Sequence, residues 1–282
     1  MTFQSKRSQN PSSKKSLRAK KGLGQNFLVD RNVIGRIIDA CSFSKDDDVL
    51  EIGPGTGALT REIIPKVRSL IAVETDRELV EHLQAEFSNE QVKIIHADFL
   101  KYDLPEITGK GKRFKIVGNL PYYISTPIMA KVIENRHLFT EFYLTVQQEF
   151  AERIVASPGG KDYSSFSCFN QYYTIAKILF KIKSSAFKPV PKVDSCFLRM
   201  AMRPEPAFPC ADEKFLFNVI RLGFGQRRKT LVNALSTLLS KDRLIAILHS
   251  AGLHANVRAE EVSLEQYTIL SGLIRKSSSP SV

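Results

Sequence analysis

Val49-Leu50-Glu51-Ile52-Gly53-Pro54-Gly55-Thr56-Gly57 runs from a short apolar strand through a glycine-rich turn into a helical stretch that begins at Ala58. A brief, mostly apolar run bounded by glycine suits a parallel strand covered on both faces. The glycines let the backbone turn tightly and pass close to a ligand, and open α/β sheets bind ligands at such strand ends. The spacing also satisfies Gly-x-Gly-x-x-Ala, so a dinucleotide is one candidate ligand.

Three more strands point to the same end of a sheet. Leu70-Ile71-Ala72-Val73 ends in Glu74, whose carboxylate is placed for ribose hydroxyls of either a nicotinamide cofactor or S-adenosylmethionine. Ile94-Ile95-His96-Ala97-Asp98 ends in a carboxylate able to accept from an adenine amino group. Either carboxylate alone would serve equally as a helix N-cap or a solvated strand end. As a set, with no Arg or Lys laid out for a pyrophosphate, they favour a cofactor carrying a sulfonium and an amino acid. The fourth strand, Phe114 to Gly118, leads into Asn119-Leu120-Pro121-Tyr122. The Asn119 side-chain carbonyl can accept from an exocyclic amine, a carbonyl of Leu120 or Pro121 from its second hydrogen, and Tyr122 can stack on a flat heterocycle. Asn and Pro also make ordinary turns, so this motif alone leaves both readings open.

Taken together, Lys21-Gly22-Leu23-Gly24-Gln25-Asn26-Phe27-Leu28, Glu51 to Gly57, Gly118 to Pro127 and Pro191-Lys192-Val193-Asp194-Ser195 resemble the small-subunit rRNA adenine dimethyltransferases. The resemblance spans about residues 20–270, with the motifs in family order. It implies a Rossmann-like methyltransferase that uses S-adenosylmethionine, without a metal, to dimethylate N6 of two adjacent adenosines near the 3′ end of 16S rRNA. It also implies cofactor contacts at Asn26, Leu28, Gly53, Gly55, Glu74, Asp98 and Asn119. Around the target base it implies Asn119, Leu120, Pro121 and Tyr122, with Phe187 either on the second face of the base or in the core. A large-subunit rRNA adenine methyltransferase of the antibiotic-resistance type, a non-catalytic ribosome assembly factor and a dinucleotide oxidoreductase are the alternatives. Intact Glu74, Asp98 and Asn119 argue against the second, and Asn-Leu-Pro-Tyr against the third.

Charge agrees with an RNA partner. The net charge is +12 over 282 residues. No acidic residue precedes Asp30, and from Lys161 to Arg203 eight basic residues face only Asp162 and Asp194. Clustered cations are the footprint of a phosphate backbone, although basic surfaces also aid solubility. Cys41, Cys168, Cys196 and Cys210 are too scattered for a metal site or a disulfide scaffold. No apolar run approaches the roughly 20 residues of a membrane span, and no secretory signal is evident. The expectation is a cytoplasmic monomer acting on a pre-30S particle.

Strands alternating with helical segments predict a doubly wound, mostly parallel α/β sheet. The expected organisation is a disordered basic arm over 1–20, a methyltransferase domain over 21–203, a small helical rRNA-binding domain over 204–276 and a disordered tail over 277–282. Pro204, Pro206 and Pro209 mark the boundary, since proline excludes helix interior and central strand. Gln226-Arg227-Arg228-Lys229 is expected to open a helix, where its cations would oppose the macrodipole unless an external anion offset them.

Overall fold

A computed structural model describes residues 19–108, 111–226 and 228–278. The basic arm up to residue 18, Arg227 and the end of the expected tail from residue 279 lie outside the described residues.

The strands are β1 (Phe27–Leu28), β2 (Asp48–Ile52), β3 (Ser69–Glu74), β4 (Val92–His96), β5 (Phe114–Asn119), β6 (Phe139–Gln147), β7 (Thr174–Ile182), β8 (Phe187–Lys188) and β9 (Ser195–Met202). Seven form one sheet in the order β4-β3-β2-β5-β6-β9-β7, and β1 pairs with β8 separately. β4 through β6 run parallel, while β9 is antiparallel to both β6 and β7. The doubly wound, mostly parallel sheet is therefore as the sequence predicts. The strand β7 was not expected: Ile175 is exposed, and Lys177 and Lys181 interrupt its apolar pattern.

Side chains alternate across the sheet. Leu50, Ile52, Ile116 and Leu144 enter one core together with Ile128, Met129 and Val132 of helix Ser125–Glu134. Val49, Val117 and Tyr143 enter the core on the opposite face, with Ile37, Ile38 and Cys41 of helix Arg31–Cys41. Asp30 starts that helix, its Oδ1 accepting from the amides of Asn32 at 2.9 Å and Val33 at 3.2 Å. Both faces are buried in the central strands β2, β5 and β6, as their apolar runs required.

A third core holds the helical part, with Leu216, Val219 and Ile220 packed on Leu231, Leu244, Tyr267 and Leu270. It also takes in Tyr163, Cys168 and Tyr172, which precede the proline-rich boundary. That segment is pinned rather than loose: Arg203 donates its amide to the Tyr173 carbonyl at 2.9 Å and Ala207 to that of Tyr172 at 2.8 Å. Met202 ends β9, and the helical core reaches back across the boundary into helix Ser165–Tyr173.

The cations near residue 228 do not open a helix. Helix Glu213–Gly225 ends at Gln226, and the next helix begins at Leu231 with Thr230 as its cap. A threonine N-cap sets the start later than the charge run suggested. Arg228 and Lys229 follow a helix C-terminus, where the macrodipole favours positive charge. Ser277 and Ser278 are the last residues of helix Leu264–Ser278 rather than part of a tail. Among the described residues no helix is long and apolar enough to cross a membrane.

Candidate active site

The chain runs from β2 outward to β3 and β4, then crosses back to β5 and β6. The order reverses between β2 and β5, and such switch points open a crevice at the strand carboxyl ends. A cavity of about 340 Å³ lies there. That is a usual size for a small-molecule site, within roughly 300–1,000 Å³.

The first described residues close its outer side, since Leu23 through Leu28 all line the cavity. Three attachments hold this strap. Asp76 accepts from Lys20 Nζ at 2.7 Å and from Gln25 Nε2 at 3.2 Å. β1 pairs with β8, burying Leu28 in the core. Finally, Asn119 Nδ2 donates to the Asn26 carbonyl at 2.9 Å. Burial would raise the Asp76 pKa, but the bonds from Lys20, Gln25 and the Glu78 amide outweigh it and hold the carboxylate ionised.

The Asn119 contact fixes the amide. A backbone carbonyl only accepts, so the NH₂ must face Asn26 and Oδ1 is left to accept elsewhere. Of the two neighbouring carbonyls, that of Pro121 already accepts from the Ile124 amide at 3.2 Å and from Ser125 Oγ at 3.3 Å. Leu120 donates its amide to Thr145 at 3.3 Å, and its carbonyl has no hydrogen bond among the described residues. Tyr122 lines the cavity with its hydroxyl 2.8 Å from Ser195 Oγ, which ties the ring to the start of β9.

Charge in the cavity has one sign. Glu51, Glu74 and Asp98 are the charged residues that line it, and no Lys, Arg or His does so among the described residues. Glu74 is 5% exposed and accepts from the amides of Gly55 at 3.1 Å and of Thr75 and Asp76 at 2.9 Å each. Burial still pushes its pKa up. Glu51 is 1% exposed and accepts from Thr60 Oγ1 at 2.7 Å. Burial is the main reason that its pKa rises to about 7, with the Glu74 charge adding to it. Asp98 is exposed and accepts from the Leu100 amide at 3.0 Å. Carboxylates with no cation among the lining residues disfavour a pyrophosphate and suit a ligand of net positive charge. At Gly55 the backbone has φ +60, and a Cβ there would meet Phe27 Cδ1 at 3.0 Å, so glycine keeps the floor open.

Asn26, Leu28, Gly53, Gly55, Glu74, Asp98, Asn119, Leu120, Pro121 and Tyr122 all border this one cavity. Phe187 does not. It is 1% exposed, packed with Leu28, Ile37 and Phe197 in the core beneath β8. An aromatic among prolines carries no sign of which way it faces, and burial decides for the core. Glu51 and Gln25 were missed as site residues. The signal for Glu51 was a carboxylate inside an otherwise apolar strand.

A model of the family described as ribosomal RNA adenine dimethylase matches residues 16–276. The chain belongs to the ribosomal RNA adenine dimethylase family. It is 41% identical over 261 residues to the ribosomal RNA small subunit methyltransferase A of Shouchella clausii, covering 89% of this chain and 88% of the relative. To the protein of the same name from Moorella thermoacetica it is 39% identical over 267 residues, covering 91% and 93%. Among solved structures, the 23S rRNA methyltransferase ErmE superposes with a TM-score of 0.70 at 28% identity, covering 89% of this chain and all of that one (100%). A dimethyladenosine transferase from Plasmodium falciparum reaches a TM-score of 0.75 at 24% identity over 86% and 95%, a likeness of fold. Membership in the dimethylase family accords with a crevice that is lined by carboxylates without a cation and presents an amide acceptor.

Proposed function

We propose that this chain transfers methyl groups from S-adenosylmethionine to N6 of two adjacent adenosines near the 3′ end of small-subunit rRNA, giving N6,N6-dimethyladenosines during small-subunit biogenesis. It acts as a cytoplasmic monomer on a pre-30S particle. The observation that carries the reading is the Asn119–Asn26 bond, which leaves Asn119 Oδ1 as an acceptor at the cavity. Relatives at about 40% identity, named for the small subunit, support that subunit over the large one.

S-adenosylmethionine, bound at the carboxylate-lined end, supplies an electrophilic methyl group on a sulfonium. Glu74 would hold its ribose, Asp98 its adenine amino group, and the Asn26–Leu28 strap with Gly53 and Gly55 would enclose it. The amine of adenine is a poor nucleophile because its lone pair is delocalised into the ring. Asn119 Oδ1 and the Leu120 carbonyl would each accept one N6 hydrogen, which favours a tetrahedral nitrogen with its lone pair free. The Pro121 carbonyl, already hydrogen-bonded, is the weaker of the two backbone candidates. Tyr122 would hold one face of the base. Alignment of this kind is worth several kcal/mol of barrier, and no strong base is needed once N6 carries the new methyl. Adenine cannot be reached in a stack, so the target lies in a loop or is flipped out.

Incubating the protein with labelled S-adenosylmethionine and undermethylated small subunits, then mapping the product, tests this. Dimethyladenosine in small-subunit rRNA is the expected result. Label appearing only in large-subunit rRNA would favour the alternative substrate, and no label in either would leave the assembly-factor reading.

A further inference from the structure

Tyr123 has no part in the roles assigned so far, yet it stands at the cavity mouth with 63% of its surface exposed. It is held in place all the same. Gly24 adopts φ +58, and a Cβ there would lie 3.0 Å from Tyr123 Cε1 and 3.1 Å from Cδ1. One edge of the ring thus leans on the Gly24 backbone of the strap, and glycine is what lets it approach. Tyr122 and Tyr123 share a 3₁₀ turn, Tyr122–Ile124. With three residues per turn, neighbouring side chains diverge by roughly 120°, so the two rings cannot hold the same base.

The surroundings suit an RNA strand. The loop that leads to Ser195, the partner of Tyr122, exposes Val190 by 63% and Val193 by 46%. Lys188 stands opposite the cavity-lining Phe27 in the β1–β8 pair, and Lys192 lies in the same loop. Both are exposed, and neither makes an ion pair among the described residues. An exposed aromatic ring at the cavity, with exposed apolar side chains and unpaired cations on the loop that the Tyr122–Ser195 contact joins to the same turn, is the combination that single-stranded nucleic acid uses, with bases stacked and phosphates neutralised.

From this geometry we infer that Tyr123 is the stacking platform for the nucleotide next to the adenine being methylated. The inference rests on the proposed function and deepens it. Flipping one base breaks its stack on a neighbour, and the ring of Tyr123 replaces that missing face. Where two adjacent adenines are modified in turn, the one outside the cavity would rest on Tyr123 while the other reacts. Tyr123 is therefore a positioning residue for the substrate strand and leaves the methyl transfer itself to Asn119 and Leu120.

The test uses the full chain, undermethylated small subunits and labelled S-adenosylmethionine, with Tyr123→Ala and Tyr123→Phe compared to wild type. Tyr123→Ala is expected to raise KM for subunits roughly thirtyfold, the middle of the range for one base on one ring, with kcat changed less than about twofold. Tyr123→Phe keeps the ring and restores KM. Cofactor affinity by calorimetry and the melting temperature stay near wild type, since an exposed side chain carries little stability. An unchanged KM in Tyr123→Ala overturns the inference, as does a Phe variant as poor as Ala. A fall in kcat at constant KM also overturns it, because it would put Tyr123 on the target base. Wild type inactive on small subunits would instead overturn the proposed function and take this inference with it.

Discussion

Asn119 Nδ2 donates to the backbone carbonyl of Asn26 at 2.9 Å, joining the end of β5 to the strap that closes the cavity. One amide thereby anchors the strap through its nitrogen and, in the proposed reaction, offers its oxygen to the substrate. Asn119→Ala should bind S-adenosylmethionine within a few-fold of wild type and transfer methyl groups on the order of 10²-fold more slowly, since the acceptor matters most in the transition state. Asn119→Asp separates these two roles. Its carboxylate would face the Asn26 carbonyl, oxygen against oxygen, so cofactor affinity should fall below that of the Ala variant. Calorimetry and single-turnover rates on both variants check this, and an Ala variant of near wild-type rate would remove Asn119 from the chemistry.

Beyond its proposed ribose contact, Glu74 has a structural part. Its carboxylate accepts from three backbone amides, those of Gly55, Thr75 and Asp76, and so holds the glycine turn against the end of β3. Glu74→Ala should therefore reduce both cofactor affinity and stability, each charged hydrogen bond removed costing about 1.5–3 kcal/mol. The melting temperature should drop by about ten degrees or more, at roughly 2–4 °C per kcal/mol for a chain of this size. If calorimetry found unchanged cofactor affinity in a variant that melts lower, Glu74 would be a structural carboxylate only.

Glu51 sets a pH dependence whose sign follows from its burial. Its pKa in the folded chain is about 7 against an ordinary 4.5. The folded state thus binds the proton more tightly than the unfolded one, and stability falls as pH rises from about 4.5 through 7. The full loss is about 3 kcal/mol. Glu51→Gln can still accept from Thr60, needs no proton, and should flatten the fall between pH 5 and pH 8. Melting curves of both proteins over that range give the answer, and parallel pH profiles would mean that Glu51 is not the group responsible.

How far the sequence could be read depended on how much of each signal was local. The strand-turn-helix at Val49–Gly57, the carboxylate at Glu74 and the Asn119 corner rest on neighbours in the chain, and all were legible. β7 was not, because an edge strand with Ile175 and Lys177 facing outward lacks the apolar run that marks its buried neighbours. β1 and β8 have two residues each and exist only through their pairing across the chain. That pairing turns Phe187 inward, which no local pattern could announce. Glu51 was visible as a residue but not as part of the cavity, since its role depends on desolvation by a folded surround.

The basic residues after helix Glu213–Gly225 separate substrate binding from chemistry. Arg228 and Lys229 are exposed, lie outside the cavity and make no ion pair among the described residues. Their place beyond a helix C-terminus favours positive charge, so local strain no longer argues for an anion there. What remains is the charge itself, on the helical part of a chain with net charge +12. Arg228→Gln with Lys229→Gln should weaken binding to small subunits and flatten its salt dependence by roughly 0.7–0.9 log-log units for each phosphate no longer neutralised. Cofactor affinity should not change, because neither side chain borders the cavity. A salt titration of subunit binding for wild type and double variant, with cofactor calorimetry alongside, measures both. Equal slopes in a folded variant would mean that these two cations only face solvent, and neutralising the phosphates would then fall to the basic arm or to the stretch from Lys161 to Arg203.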